Sequence, residues 1–292
     1  MASKALAAAA LMLNALVWGV SWWPFRELQS HGLHPLWATT LIYVLALVCL
    51  MLYAPAGWRG WRQYPMLWLL AAAAGLTNVG FNWAVTVGDV VRAVLLFYMM
   101  PAWVVLLAWP LLGERPTRGS VLRLVLAMTG VAVVLKEPNS SWPLPESLAD
   151  GLALMGGFCF ALTNILLRKL NQSPSESRML AMFGGGTLMA AAAALLGTQL
   201  GLVGKLPAPS ADWLYLALGV SVAFLAGNMA LQYGASRLQA TTTSVIMLSE
   251  VVFASVSAVL LGAGDWSSRT VVGGSLILLA SLLSMLNNSA HS

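Results

Sequence analysis

Ten long apolar runs, bounded by prolines, glycines or charges, take up most of the chain. They cover roughly residues 5–24, 35–54, 65–87, 92–112, 119–136, 150–170, 178–200, 211–234, 240–262 and 270–288. A helix needs about 20 apolar residues to cross a bilayer, so each run predicts one spanning helix. Pro24, Pro35, Pro55, Pro65, Pro116, Pro138, Pro143, Pro145, Pro174, Pro207 and Pro209 fall in the gaps or at run ends, and only Pro101 and Pro110 fall in the interior of runs. The longest connections, around 137–149 and 201–210, leave no room for a soluble domain. The first run follows Lys4 as a signal peptide would, but it continues for about 19 residues without a clean cleavage pattern and reads as a retained helix.

The pattern repeats. Asn78-x-x-x-Asn82-Trp83-Ala84 in the third run matches Asn228-x-x-x-Gln232-Tyr233-Gly234 in the eighth, 150 residues later. At the same offset Met100-Pro101 aligns with Glu250-Val251, and each half then reaches Leu-Leu-Gly, at Gly113 and at Gly262. The first and sixth runs match in outline: an apolar run, then Arg26 or Arg168-Lys169, then Pro35 or Pro174. Five spans per half place the second half upside down, the inverted arrangement on which many secondary transporters are built.

Composition agrees with a lipid solvent. Only 9% of residues are charged and 59% are hydrophobic, whereas soluble domains carry about 25% charged residues. With the N-terminus inside, the inner loops hold Lys4, Arg59, Arg62, Arg115, Arg118, Arg123, Arg168, Lys169, Arg178 and Arg237. The outer loops hold Arg26, Arg92, Lys136, Lys205 and Arg269, and this ten-to-five division predicts both termini in the cytoplasm. The net charge of +5 is thus a topology signal, with no nucleic-acid partner implied. Cys49 and Cys159 read as small buried hydrophobes. No nucleophile motif, metal spacing or nucleotide loop stands out, so no enzyme activity, cofactor or metal is expected. His31, His34 and His291 read as solvated or interfacial, and Gly184-Gly185-Gly186 as a close-packing site.

Five-plus-five spans with this order of motifs resemble the drug/metabolite transporter (DMT) superfamily, in its ten-helix EamA-type branch. The residues that carry the likeness are Trp18-Gly19, Arg26, Pro35, Pro101, Leu111-Leu112-Gly113-Glu114-Arg115, Gly130, Arg168-Lys169, Pro174 and Glu250. Two departures stand out. The family often has Glu-Pro in both repeats, but here one half keeps Pro101 and the other Glu250; the family often has an arginine in the second helix, but Thr39 to Tyr43 carries none. The Trp-rich first helix and Leu96-Phe97-Tyr98-Met99-Met100-Pro101 look most like the aromatic amino-acid exporters of the YddG type.

The resemblance implies an all-α membrane protein of ten transmembrane helices, in two inverted five-helix repeats (1–137 and 150–288) around a central cavity. It also implies that helices one, three, four, six, eight and nine line that cavity. Trp18, Asn82, Phe97, Tyr98, Asn164, Asn228, Gln232 and Met247 are then the candidate substrate-binding residues. Aromatic and methionine side chains suit a flat apolar solute, and amides suit amino and carboxylate groups. The i,i+4 pairs Asn78/Asn82 and Asn228/Gln232 each share one helix face, either as glue between helices or as cavity lining.

Glu250 is the one acid within a run, and an intramembrane carboxylate points to function by default. It reads either as a proton-coupling group or as a strut for the ninth helix. The expected function is export of aromatic amino acids and similar small amphipathic metabolites from the bacterial inner membrane, by a monomer working through alternating access. The alternative is a broader drug/metabolite exporter with proton coupling. A nucleotide-sugar carrier would need basic residues deep in the spans, and an intramembrane enzyme a buried catalytic pair; neither pattern is present.

Overall fold

Proline and serine decide where the apolar runs break. In the computed structural model, which describes residues 2–87, 90–135, 145, 147–262 and 268–290, every one of the ten runs holds helix. Asp89, Lys136, Glu137, Trp142, Glu146, Asp265, Trp266 and His291 lie outside the described residues. The first run is α1 (Ala2–Val20) followed by α2 (Trp22–Ser30). Here the structure differs from the expectation of a gap at Pro24. The ring sits in the first turn of α2, where a missing N–H is harmless, and the break falls at Ser21, whose Oγ donates to the Trp18 carbonyl at 2.6 Å. A hydroxyl bonded to the preceding turn competes with the helix ladder and bends it.

The second run is α3 (Pro35–Tyr53), with Pro35 in its first turn. His34 caps it: Nδ1 accepts from the Leu36 N–H at 3.3 Å, and burial holds the imidazole below its ordinary pKa, in the neutral form that can accept. A 3-10 turn (Pro55–Arg59) and α4 (Gly60–Gln63) lead at a sharp bend of 114° into α5 (Met66–Val87). Next come α6 (Val90–Phe97), α7 (Met100–Leu112) and α8 (Arg118–Leu135). The second half holds α9 (Leu148–Lys169), α10 (Ser175–Gln199), α11 (Ala211–Ala235), α12 (Ala240–Met247), α13 (Ser249–Leu260) and α14 (Ser268–Ala290).

The breaks between α6 and α7 (Tyr98-Met99) and between α12 and α13 (Leu248) lie 150 residues apart, at matching places in the repeat. Pro101 accounts for the first, having no N–H to continue the ladder. The second has no proline. There Ser249 Oγ donates to the Ile246 carbonyl at 2.6 Å, so a serine produces the kink that proline produces in the other half.

The packing order shows the inverted repeat. α1, the first helix of one half, lies against α11, and α9, its counterpart, lies against α5. α1 also meets α12 and α13, as α9 meets α6 and α7. Two further large contacts pair equivalent helices, α3 with α10 and α8 with α14, and α5 packs broadly on α10 as well. Each half thus gives its first helix to the other, and the two are interlocked.

Among the described residues, seven helical stretches are long and apolar enough to cross a membrane, and α5 joins them if counted with the bent segment before it. α8 carries Arg118 and Arg123, and the described apolar stretch of α14 is only Val271–Leu283. Large apolar side chains such as Leu52, Leu106, Leu122, Leu188 and Leu260 are exposed around the outside. On a soluble protein such a surface would aggregate, whereas here it is the lipid face.

Inside lipid, helix association depends on close packing more than on apolar burial. The triple glycine meets the alanine run of α5: a Cβ on Gly185 would strike the Ala71 backbone, and one on Gly186 would strike the Tyr43 ring. α8 and α14 touch at Gly130 and Gly273, where a Cβ on either would fall 2.6 Å from the other's carbonyl oxygen. Trp213 stands at a span end, where tryptophan commonly anchors at the membrane interface, but it is core: it is 4% exposed and joins the cluster of Leu28, Leu33 and Ile42.

Candidate functional site

The two kinked helices meet each other. Tyr98, at the break in the first repeat, is hydrogen-bonded to Glu250, two residues past the break in the second. The hydroxyl donates and the carboxylate accepts. Glu250 is held against α1 as well, because Gly19 lets α1 approach until a Cβ there would be 2.7 Å from the Glu250 carbonyl oxygen. Glu250 is half-buried, although Ser249 and Val251 on either side of it are buried. The carboxylate thus stands in the first turn of α13, where a helix N-terminus favours negative charge.

Two aromatic groups adjoin the elements that hold this pair, one through Tyr98 and one through α1 beside Gly19. In the first, Phe97 stacks on Phe160 with ring centres 5.8 Å apart, lies 4.9 Å from Phe81, and meets Tyr98 edge-on at 5.9 Å. Phe81, Phe97 and Phe160 are all half-buried. Gly157 makes room for this group, since a Cβ there would be 2.5 Å from the Phe97 carbonyl. In the second, Trp18 stacks on Phe224 at 4.4 Å, and Tyr43 meets Phe224 and Phe183 edge-on. Each such aromatic pair contributes about 0.5–1.5 kcal/mol beyond its burial.

The candidate amides divide between these groups. Asn82 Nδ2 donates to Thr39 Oγ1 at 2.8 Å, and Asn78 Oδ1 accepts from the Tyr43 hydroxyl at 3.1 Å, so this pair ties α5 to α3. Gln232 donates to Asn228 Oδ1 at 2.6 Å, and Asn228 Nδ2 reaches Met182 Sδ at 3.4 Å, tying α11 to α10. Both amide pairs are engaged by protein in this conformation. Met247 is buried in the main core beside Ile246 and Met100. Asn164 is 1% exposed, and neither amide atom has a hydrogen-bond partner among the described residues. The structure therefore brings Phe97, Tyr98 and Glu250 together, places Trp18 one residue from the glycine that packs on Glu250, and leaves Asn164 with unmet bonding capacity.

Sequence reasoning missed Arg178. It is buried in the first turn of α10, where Nε donates to Gln232 Oε1 at 3.0 Å and Nη1 to the Leu170 and Ser173 carbonyls at 2.7 and 2.8 Å. The signal was an arginine four residues after Pro174, inside an opening helical turn. Arg178→Ala leaves three acceptors in a buried place without their donor. It is expected to lower stability by about 3–5 kcal/mol, measured as loss of the monodisperse peak and of the thermal midpoint in detergent; a midpoint within error of wild type would show the network to be dispensable.

The EamA-like transporter family model matches residues 5–136 and 147–286. A crystal structure of another protein superposes with a TM-score of 0.79 over 97% of this chain and 98% of that one, at 17% sequence identity. That likeness establishes the fold. A search of curated proteins gives no significant match.

Proposed function

The chain belongs to the EamA-like transporter family, and from that premise we propose that this multi-pass membrane protein exports aromatic amino acids and similar small amphipathic metabolites by alternating access. One observation carries the reading: half-buried Phe81 and Phe160 pack on Phe97, which meets Tyr98 edge-on beside its bond to Glu250, where the kinked helices of both repeats meet. Flat rings with a polar pair beside them match a solute that has an aromatic side chain and a charged head. Transporter sites near the midplane, between repeats, are commonly built on such discontinuous helices.

In this reading Trp18, Asn82, Phe97, Tyr98, Asn164, Asn228, Gln232 and Met247 serve the substrate. Asn82, Asn228 and Gln232 would exchange their helix-to-helix bonds for substrate bonds as the halves, 1–137 and 150–288, rock against each other. The ten-to-five division of basic residues supports a bacterial inner membrane setting with both termini in the cytoplasm. A monomer suffices, since each half completes the other.

The test is transport by the purified chain in proteoliposomes. Labelled phenylalanine and tryptophan are expected to cross, each suppressed by an excess of the other, while alanine is ignored. Vesicles that retain both labels at the rate of protein-free controls exclude this substrate class. The broader drug/metabolite reading instead predicts flux of unrelated amphipathic compounds with no competition from tryptophan.

A further inference from the structure

We propose that Glu114 is the latch of a gate at one end of the transporter, and that releasing it opens the path to a buried polar layer at Asn164 and Thr243. The inference rests on the alternating-access reading above, but not on the choice of substrate.

Glu114 is fixed by the turn that ends α7. Gly113 takes a left-handed φ of +72°, and the Glu114 N–H closes the turn on the Ala108 carbonyl at 3.3 Å. So placed, the carboxylate reaches from the first repeat into the second with both oxygens. Oε1 is 3.4 Å from Arg168 Nε, in the last turn of α9, and Oε2 accepts the backbone N–H of Ala240, the first residue of α12, at 2.9 Å. Arg168 Nη1 also donates to the Ser236 carbonyl at 2.7 Å, gathering the turn between α11 and α12 into the same knot. Glu114 thus pins two segments of the opposite half directly and a third through Arg168.

The knot is built to come undone. Its side chains are 18% and 28% exposed, so water can compete for both charges. A fully buried ion pair would be too costly to separate on every cycle. What lies behind it supports an opening. Asn164 is one turn before Arg168 on the same face of α9, and Thr243 is one turn after Ala240 on α12. Both are buried, and neither Asn164's amide atoms nor Thr243 Oγ1 finds a partner among the described residues. Buried polar groups are normally satisfied; an open gate would give these two water or the head of a solute.

Gly262 ends α13 with a φ of +69° as Gly113 ends α7, and in the sequence the residue after it is Ala263 where the first repeat has Glu114. The Glu114 latch biases the resting protein towards closure at its own end. By the charge division that end faces the cytoplasm.

Thiol accessibility of the full chain in proteoliposomes tests this. Cys49→Ser and Cys159→Ala remove the native thiols, and Asn164→Cys or, separately, Thr243→Cys reports on the layer. Labelling by an impermeant maleimide is expected to be slow with Glu114 present. It should rise about tenfold with Glu114→Ala, and by a few-fold with Glu114→Gln, which keeps an acceptor for the Ala240 N–H and drops the charge. Unchanged labelling at both reporters in either variant that remains monodisperse overturns the latch. If Glu114→Ala does not fold, the glutamine variant decides alone. Labelling that responds as expected, with the unsubstituted chain moving neither phenylalanine nor tryptophan, keeps the latch and removes the substrate assignment.

Discussion

Gly185→Leu yields no folded transporter, and Gly185→Ala lowers stability by about 1–3 kcal/mol, the usual cost of forcing extra volume into a packed interior. A Cβ on Gly185 would strike the carbonyl, carbonyl carbon and Cα of Ala71, all backbone atoms that cannot rotate away. The approach is mutual, since a Cβ on Gly75 would come 2.6 Å from the Gly185 carbonyl oxygen. α5 and α10 would have to part along a broad interface, and each also packs against α3. Gly184→Ala is the control, because nothing lies within 4 Å of a Cβ there. Thermal unfolding of the three variants in detergent decides: equal midpoints for Gly184→Ala and Gly185→Ala would show that this contact is looser than described.

Replacing Glu250 is expected to have the largest effect on transport. Glu250→Ala removes the acceptor of the Tyr98 hydroxyl at a bond that ties the two kinks together. A buried donor left without its partner costs about 1–3 kcal/mol. If that strain falls on the transport cycle, flux drops by about 5- to 150-fold. Glu250→Gln keeps an acceptor for the hydroxyl, so it is expected to fold and to move substrate at close to the wild-type rate, with the wild-type pH profile. That outcome makes Glu250 a strut. A glutamine variant with the wild-type melting midpoint but lost flux and a flat pH profile would instead assign Glu250 to proton coupling.

The sequence reading erred where side chains substitute for one another. Proline punctuates several of the gaps, so the helix running through Pro24 and the kink at Leu248, which has no proline, were both unexpected. In each case a serine hydroxyl bends the ladder, and serine is too common in membrane helices for its position to announce a break. Trp213 stands at a span end, the usual place of an interface anchor. Only the neighbours Leu28, Leu33 and Ile42 make it core. Arg178 was counted for its charge alone, since its acceptors are two carbonyls in the preceding turn and Gln232, which is 54 residues away.

By itself the sequence determined the solvent, the ten helical runs and the doubled, inverted plan. Apolar length and the 150-residue offset are local or periodic properties that no tertiary contact can alter. Through the family resemblance it also offered Trp18, Asn82, Phe97, Tyr98, Asn164, Asn228, Gln232 and Met247 as candidates, and Glu250 as an acid within a run. Which of these touch was left to the tertiary structure, because the partners come from opposite repeats. Tyr98 with Glu250, Glu114 with Arg168 and Ala240, and Gly185 with Ala71 are pairings across 54 to 152 residues of chain. They depend on how two interlocked halves seat against each other, and helix period carries no record of that.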